Sequence, residues 1–165
     1  MNSIRCVGCG ARFPDIGGPT HRYMESCPGC WAAYGEVLAR EYADASYRES
    51  HRLTVDAYAV QHPGRPSPQS AQSVAVHLIS LHLVLEKGFA AEKATGAIAR
   101  AVRTGGPYMW MPPPPSRDLV TVAQVHGTTS AQAHVAAARD WAASAWTAWS
   151  AHHGQIRSWS RALLM

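Results

Sequence analysis

All four cysteines of this 165-residue chain fall in two pairs, Cys6-Val7-Gly8-Cys9 and Cys27-Pro28-Gly29-Cys30. A two-residue gap lets both sulfurs of a pair reach one ion from a single tight turn, and the spacing of the two pairs fits a structural metal site. Zinc favours four thiolate or imidazole ligands in a tetrahedron, so the expected cofactor is Zn2+ and the expected ligands are Cys6, Cys9, Cys27 and Cys30. His21 lies in the loop between the pairs, and a neutral imidazole completes a Cys3His tetrahedron equally well. It is the substitute for Cys27. Two disulfides would use the same residues, but Met1 to Ile4 lead towards the first cysteine without an apolar leader, so a reduced, cytoplasmic setting is expected. A catalytic dithiol would need only one pair, in a strand-helix context that is not evident.

A second constellation is Asp56, His62 and His77. If the helices on either side of Pro63 to Pro68 form an antiparallel hairpin, positions equally far from the turn face each other and Asp56 lies near His77. A carboxylate beside an imidazole orients a general base or backs a metal ligand, and equally satisfies two polar groups in a core. His62 also reads as a helix carboxy-terminal residue favoured by the dipole. His152 and His153 are adjacent on the last predicted helix, with His152 on its apolar seam, so a second metal site is open at His77 or His152. The chain has no Gly-rich nucleotide loop, no Gly-x-Ser-x-Gly elbow and no His-Glu-x-x-His helix.

The elements that must position these groups are mainly helical. Residues 1–30 form a metal-binding loop and knuckle module with a short hairpin, continuous with a first helix in which Trp31, Tyr34, Leu38 and Tyr42 recur at helical spacing. A knuckle, a loop and a pair opening a helix is a treble-clef-like arrangement, and the positive end of the helix favours thiolate. Residues 31–165 form a helical bundle. Its further helices are predicted at about 47–62, 69–87, 90–103 and 131–164, with one or two turns at 119–126. The segment Val74 to Leu85 is apolar on nearly every face and marks the buried middle helix. A Pro-rich loop at about 104–118 is stiff and extended at Pro112 to Pro115. In the last helix, Val135, Ala142, Trp149, Ile156 and Leu163 form one heptad row, and Gly154 is a point of bending.

Composition bounds the function. With 47 % apolar residues the chain can bury one respectable core, and no apolar run reaches the roughly 20 residues that cross a bilayer. The 15 basic and 11 acidic residues leave a charge of +4, but the arginines are scattered, which disfavours nucleic acid.

The motifs Thr20-His21-x-Tyr23, Pro28-Gly29-Cys30-Trp31, Val55-Asp56-Ala57-Tyr58-Ala59-Val60-Gln61-His62-Pro63-Gly64 and Gln72-Ser73-Val74-Ala75-Val76-His77-Leu78, with the first cysteine pair, resemble the bacterial domain of unknown function family 5946. The resemblance implies a shared architecture and no established activity. The favoured reading is a zinc-binding helical protein whose metal is structural and which binds a protein partner or a small ligand, with self-association allowed. A small metal-assisted hydrolase or transferase using Asp56, His62 and His77 is the alternative. A nucleic-acid-binding zinc finger is the second.

Overall fold

A computed structural model describes residues 2–165, and the chain is mainly helical. It opens with an antiparallel hairpin of β1 (Ser3–Arg5) and β2 (Arg12–Pro14), in which Ile4 faces Phe13. The turn joining them carries the first cysteine pair. It is closed by the Cys6 amide donating to the Ala11 carbonyl at 2.8 Å and the Gly10 amide to the Cys6 carbonyl at 3.0 Å. Gly10 has φ 78°, a left-handed conformation that glycine adopts without a Cβ penalty.

Helix α1 (Pro28–Ala43) begins with a proline at its first position, where the missing N–H costs nothing. Its inward stripe is Cys30, Ala33, Tyr34, Val37 and Glu41. The predicted stripe is therefore rotated: Tyr34 is inside, but Tyr42 is 67 % exposed. The helix predicted at 47–62 is divided into α2 (Ala45–Arg48) and α3 (His51–Gln61). Ser50 sits at the break because its hydroxyl donates to the Glu41 carboxylate at 3.0 Å and to the Tyr47 carbonyl at 2.9 Å. Such bonds compete with the helical ladder.

After the turn at Pro63 to Ser67, α4 (Pro68–Leu81) runs back along α3, capped by the Ser67 hydroxyl. It continues as one π-helical turn, His82–Glu86, before Gly88 at φ 67°. Helix α5 (Ala91–Thr104) follows, then the proline-rich segment, α6 (Val122–His126) in a Thr121/Gln124 capping box, and α7 (Ala131–Ala148). The single long helix expected at 131–164 is broken by a 3-10 turn at Ser150–His152, and α8 (His153–Leu164) packs back on α4 and α5. The break falls just after Trp149, ahead of Gly154, because that buried side chain is anchored by its indole N–H to the Val60 carbonyl at 3.1 Å.

One contiguous apolar cluster takes in the four cysteines, Tyr58, Leu78, Trp141, Trp149 and Ile156, so the amino-terminal hairpin shares its core with the bundle. Among the described residues no helix is long and apolar enough to cross a membrane.

Candidate metal centre

Cys6 and Cys9 come from the hairpin turn, Cys30 from the first turn of α1, and His62 from the residue that ends α3. Their ligand atoms all lie within 4.8 Å of one another, and all four residues are buried. The sulfur of Cys9 is 3.9 Å from that of Cys30, and the Nε2 of His62 is 3.6 Å from the Cys6 sulfur and 3.4 Å from the Cys30 sulfur. A tetrahedral ion with sulfur at about 2.3 Å and nitrogen at about 2.0 Å has S···S edges of about 3.8 Å and S···N edges of about 3.5 Å. The S···S edge and the two S···N edges given above match those of a tetrahedral site, and the remaining three lie within 4.8 Å.

The tautomer of His62 is fixed by its other nitrogen. Nδ1 lies 2.7 Å from the Tyr58 carbonyl, which can only accept, so Nδ1 carries the proton. That leaves Nε2 directed at the sulfurs, the orientation that protein carbonyls give to metal-binding histidines. The ring also stacks on Tyr58, with centroids 3.9 Å apart. Upstream, Gln61 accepts the Trp141 indole N–H and donates to the Val120 carbonyl, both at 2.8 Å, which holds the end of α3 in place. Gly8 completes the fit, because a Cβ there would overlap the His62 ring and the Glu25 carbonyl.

Without a cation the three thiols share charge. Hydrogen bonds from Cys30 and then Cys9 hold the Cys6 thiol far below its ordinary value, while hydrogen bonding to Cys6, then to Cys9, and burial push Cys30 far above its own. Cys9, lowered by Cys30 but raised by Cys6 and by burial, ends at about 12. A divalent cation held among these sulfurs would favour the thiolate form of all three. A buried Cys3His group of this geometry could hold a metal ion.

Residues 4–150 match the model of a family of unknown function (DUF5946). The chain belongs to that family. The region matched by DUF5946 contains all four members of the cluster and stops at the 3-10 turn before α8. No curated protein and no solved structure matches the chain.

Two of the expected ligands lie outside the gathered set. Cys27 is buried at the N-cap of α1, where its thiol is raised by burial. His21 is occupied locally, with Nδ1 accepting from the amides of Tyr23 and Met24 at 3.3 Å and its ring packed on Tyr23 and Trp31. The fourth member of the gathered group is His62, at the end of a helix that spacing alone does not connect to the cysteines.

Asp56 and His77 do meet across the α3/α4 hairpin, with His77 Nδ1 2.7 Å from Asp56 Oδ1. The same buried carboxylate accepts from Arg52 at 2.6 and 3.1 Å and from the Ser80 hydroxyl at 2.5 Å. His62 is directed to the cysteines and takes no part. His152 and His153 are both half-buried and bonded to backbone carbonyls, of Pro112 at 3.0 Å and Trp146 at 2.9 Å, with His153 stacked on Trp146. Neither residue belongs to a metal-competent group among the described residues.

A further buried polar cluster escaped the sequence reading. Glu41, fully buried, accepts from Thr54 at 2.6 Å, His51 at 2.8 Å, His134 at 2.9 Å and Ser50 at 3.0 Å. Burial alone would raise this carboxyl, but the bonds from His51, His134, Thr54 and Ser50 outweigh it and hold the group below its ordinary value. The signal was available: His134 precedes Ala138, Trp141 and Ala145 on one helical stripe, and Glu41 follows Tyr34 and Val37 on another. A polar residue on an apolar stripe calls for a buried partner.

Proposed function

We propose that Cys6, Cys9, Cys30 and His62 hold a zinc ion whose role is structural, and that the protein is a binding module built on that ion. The observation that carries this reading is Nε2 of His62, its ring oriented by the Tyr58 carbonyl, set among three cysteines that are at most 2 % exposed. Four protein ligands leave no open position for water or substrate, which separates structural zinc from catalytic zinc. Residues 1–30 then act as a metal-organised module continuous with α1, in the manner of a treble clef whose fourth ligand comes from α3. Such sites contribute about 10–16 kcal/mol of binding free energy in small zinc peptides, which becomes folding free energy when the unfolded chain has no site. Four free cysteines are suited to a reducing compartment such as the cytoplasm.

A binding role has room in clefts beside the proposed ion. One of about 310 Å³ lies between the knuckle residues Val7 and Gly8, the end of α3 and Pro113 to Pro115. Nucleic acid is disfavoured because several arginines are already engaged, Arg65 with Glu25, Arg139 with Glu49 and Arg157 with Glu86.

A second reading, a small hydrolase or transferase, keeps one specific observation. Asp56 fixes the proton of His77 on Nδ1, leaving Nε2 as a potential base. Both Asp56 oxygens are also tied to Arg52, which fits a structural pair better. Thermal unfolding before and after chelation tests the first reading. Cooperative unfolding at a temperature at least 15 °C lower after zinc removal, restored by one equivalent of Zn2+, is the expected result; an unchanged transition would contradict it.

A further inference from the structure

A cavity of about 620 Å³ opens on the side of the bundle where the end of α2 and the start of α3 meet the turn after α4. Its apolar wall is Leu53, Val84 and Phe89, and its charged lining is Arg48, Arg52 and Arg139 against Glu49 and Glu92. Glu49 is already paired with Arg139 at 2.8 Å, and Glu92 is exposed in the first turn of α5. Arg48 is exposed and forms no ion pair among the described residues.

Arg52 has only 14 % of its side chain exposed and is held rigidly by the buried Asp56, through Nε at 3.1 Å and Nη2 at 2.6 Å. Among the described residues its Nη1 donates to no acceptor. A guanidinium whose one edge is spent on a carboxylate keeps its remaining N–H groups in fixed geometry, and such a preorganised fork recognises carboxylate or phosphate with little entropic cost. Ala90 and Ala91 also line the cavity, where α5 starts without a side-chain cap, so the partial positive charge of the helix start adds to the arginines.

We propose that this cavity binds a small anionic ligand, a phosphate or carboxylate carried on an apolar body, with Arg52 and Arg48 on the anion and Leu53, Val84 and Phe89 on the body. The proposal deepens the small-ligand part of the function above and does not depend on the metal. Its failure is told apart from that of the zinc reading by measuring metal content on the same samples.

The test is an NMR or calorimetric titration of the full-length protein as purified, at fixed low ionic strength, with phenyl phosphate, benzoate and the neutral benzyl alcohol. Two variants accompany it. Arg48→Gln removes one exposed cation, and Ala90→Asp supplies a favourable N-cap while placing a carboxylate in the cavity, so it cannot weaken binding by unfolding the helix. Saturable binding of at least one anion, absent for the alcohol and weakened at least fivefold by both variants, is the expected result. The tighter of phenyl phosphate and benzoate identifies the headgroup. Failure of both anions to saturate, or wild-type affinity in either variant, overturns the proposal.

Discussion

The Nε2 of His62 stands 3.4 Å from the sulfur of Cys30, a residue 32 positions earlier in the chain. The end of α3, the start of α1 and the β-hairpin turn converge at that point. In the account proposed here, one ion turns this convergence into a tie that holds the hairpin on the bundle.

His62→Ala and Cys27→Ser separate the two candidates for the fourth ligand. His62→Ala removes the oriented imidazole and leaves three thiols, so zinc affinity should fall at least a hundredfold in a competition titration with a chromogenic chelator. Cys27→Ser places a better N-cap residue at the start of α1, so stability should move by no more than about 1 kcal/mol and zinc should be retained.

Gly8→Ala tests the packing behind the ion. The added methyl would overlap the His62 ring and the Glu25 carbonyl, and the ring is the part able to turn. Displacing an oriented ligand typically costs about 10–100-fold in metal affinity. The same competition titration reads it, and Gly35→Ala, where an added Cβ meets open space, should be neutral.

Asp56 and His77 are told apart by what each leaves behind. Asp56→Ala strands the guanidinium of Arg52 and should destabilise the protein by about 3–5 kcal/mol, as for one partner of a buried pair. His77→Ala leaves Asp56 with Arg52 and Ser80 and should cost about 1 kcal/mol, the net worth of one hydrogen bond. Urea unfolding measures both. An equal cost would mean that the imidazole, not the guanidinium, is the main partner of the carboxylate.

Glu41 gives a pH signature. Its carboxyl is held below the ordinary value in the folded protein, so the stability it contributes is complete above the unfolded value of about 4.3 and is lost as pH falls through the folded one. Glu41→Gln should therefore cost about 2–4 kcal/mol at neutral pH. The difference from the wild type should shrink below pH of about 4 in urea titrations. A gap independent of pH down to the acid transition would rule out the ionised carboxylate as its source.

The legible parts of this chain were those governed by local rules. The second cysteine pair was expected to open a helix and does so at Pro28, and the apolar run from Val74 identified the buried α4. The Asp56–His77 contact followed from hairpin symmetry about Pro63 to Pro68. The place of His62 did not, because the second cysteine pair satisfies the spacing rule by itself, and which imidazole reaches the sulfurs depends on how α3 ends against Trp141 and Val120. The break after Trp149 was hidden for the same reason: an indole bonded to a carbonyl of α3 sets it, while the heptad pattern runs on through it.

X-ray absorption at the zinc edge of freshly purified protein bears most directly on the central claim. One zinc per chain, with three sulfurs at about 2.3 Å and one nitrogen at about 2.0 Å, is the predicted result. A four-sulfur shell would restore Cys27 in place of His62. Protein purified without chelator that contains no zinc, or whose cysteines are joined as disulfides, would contradict the account.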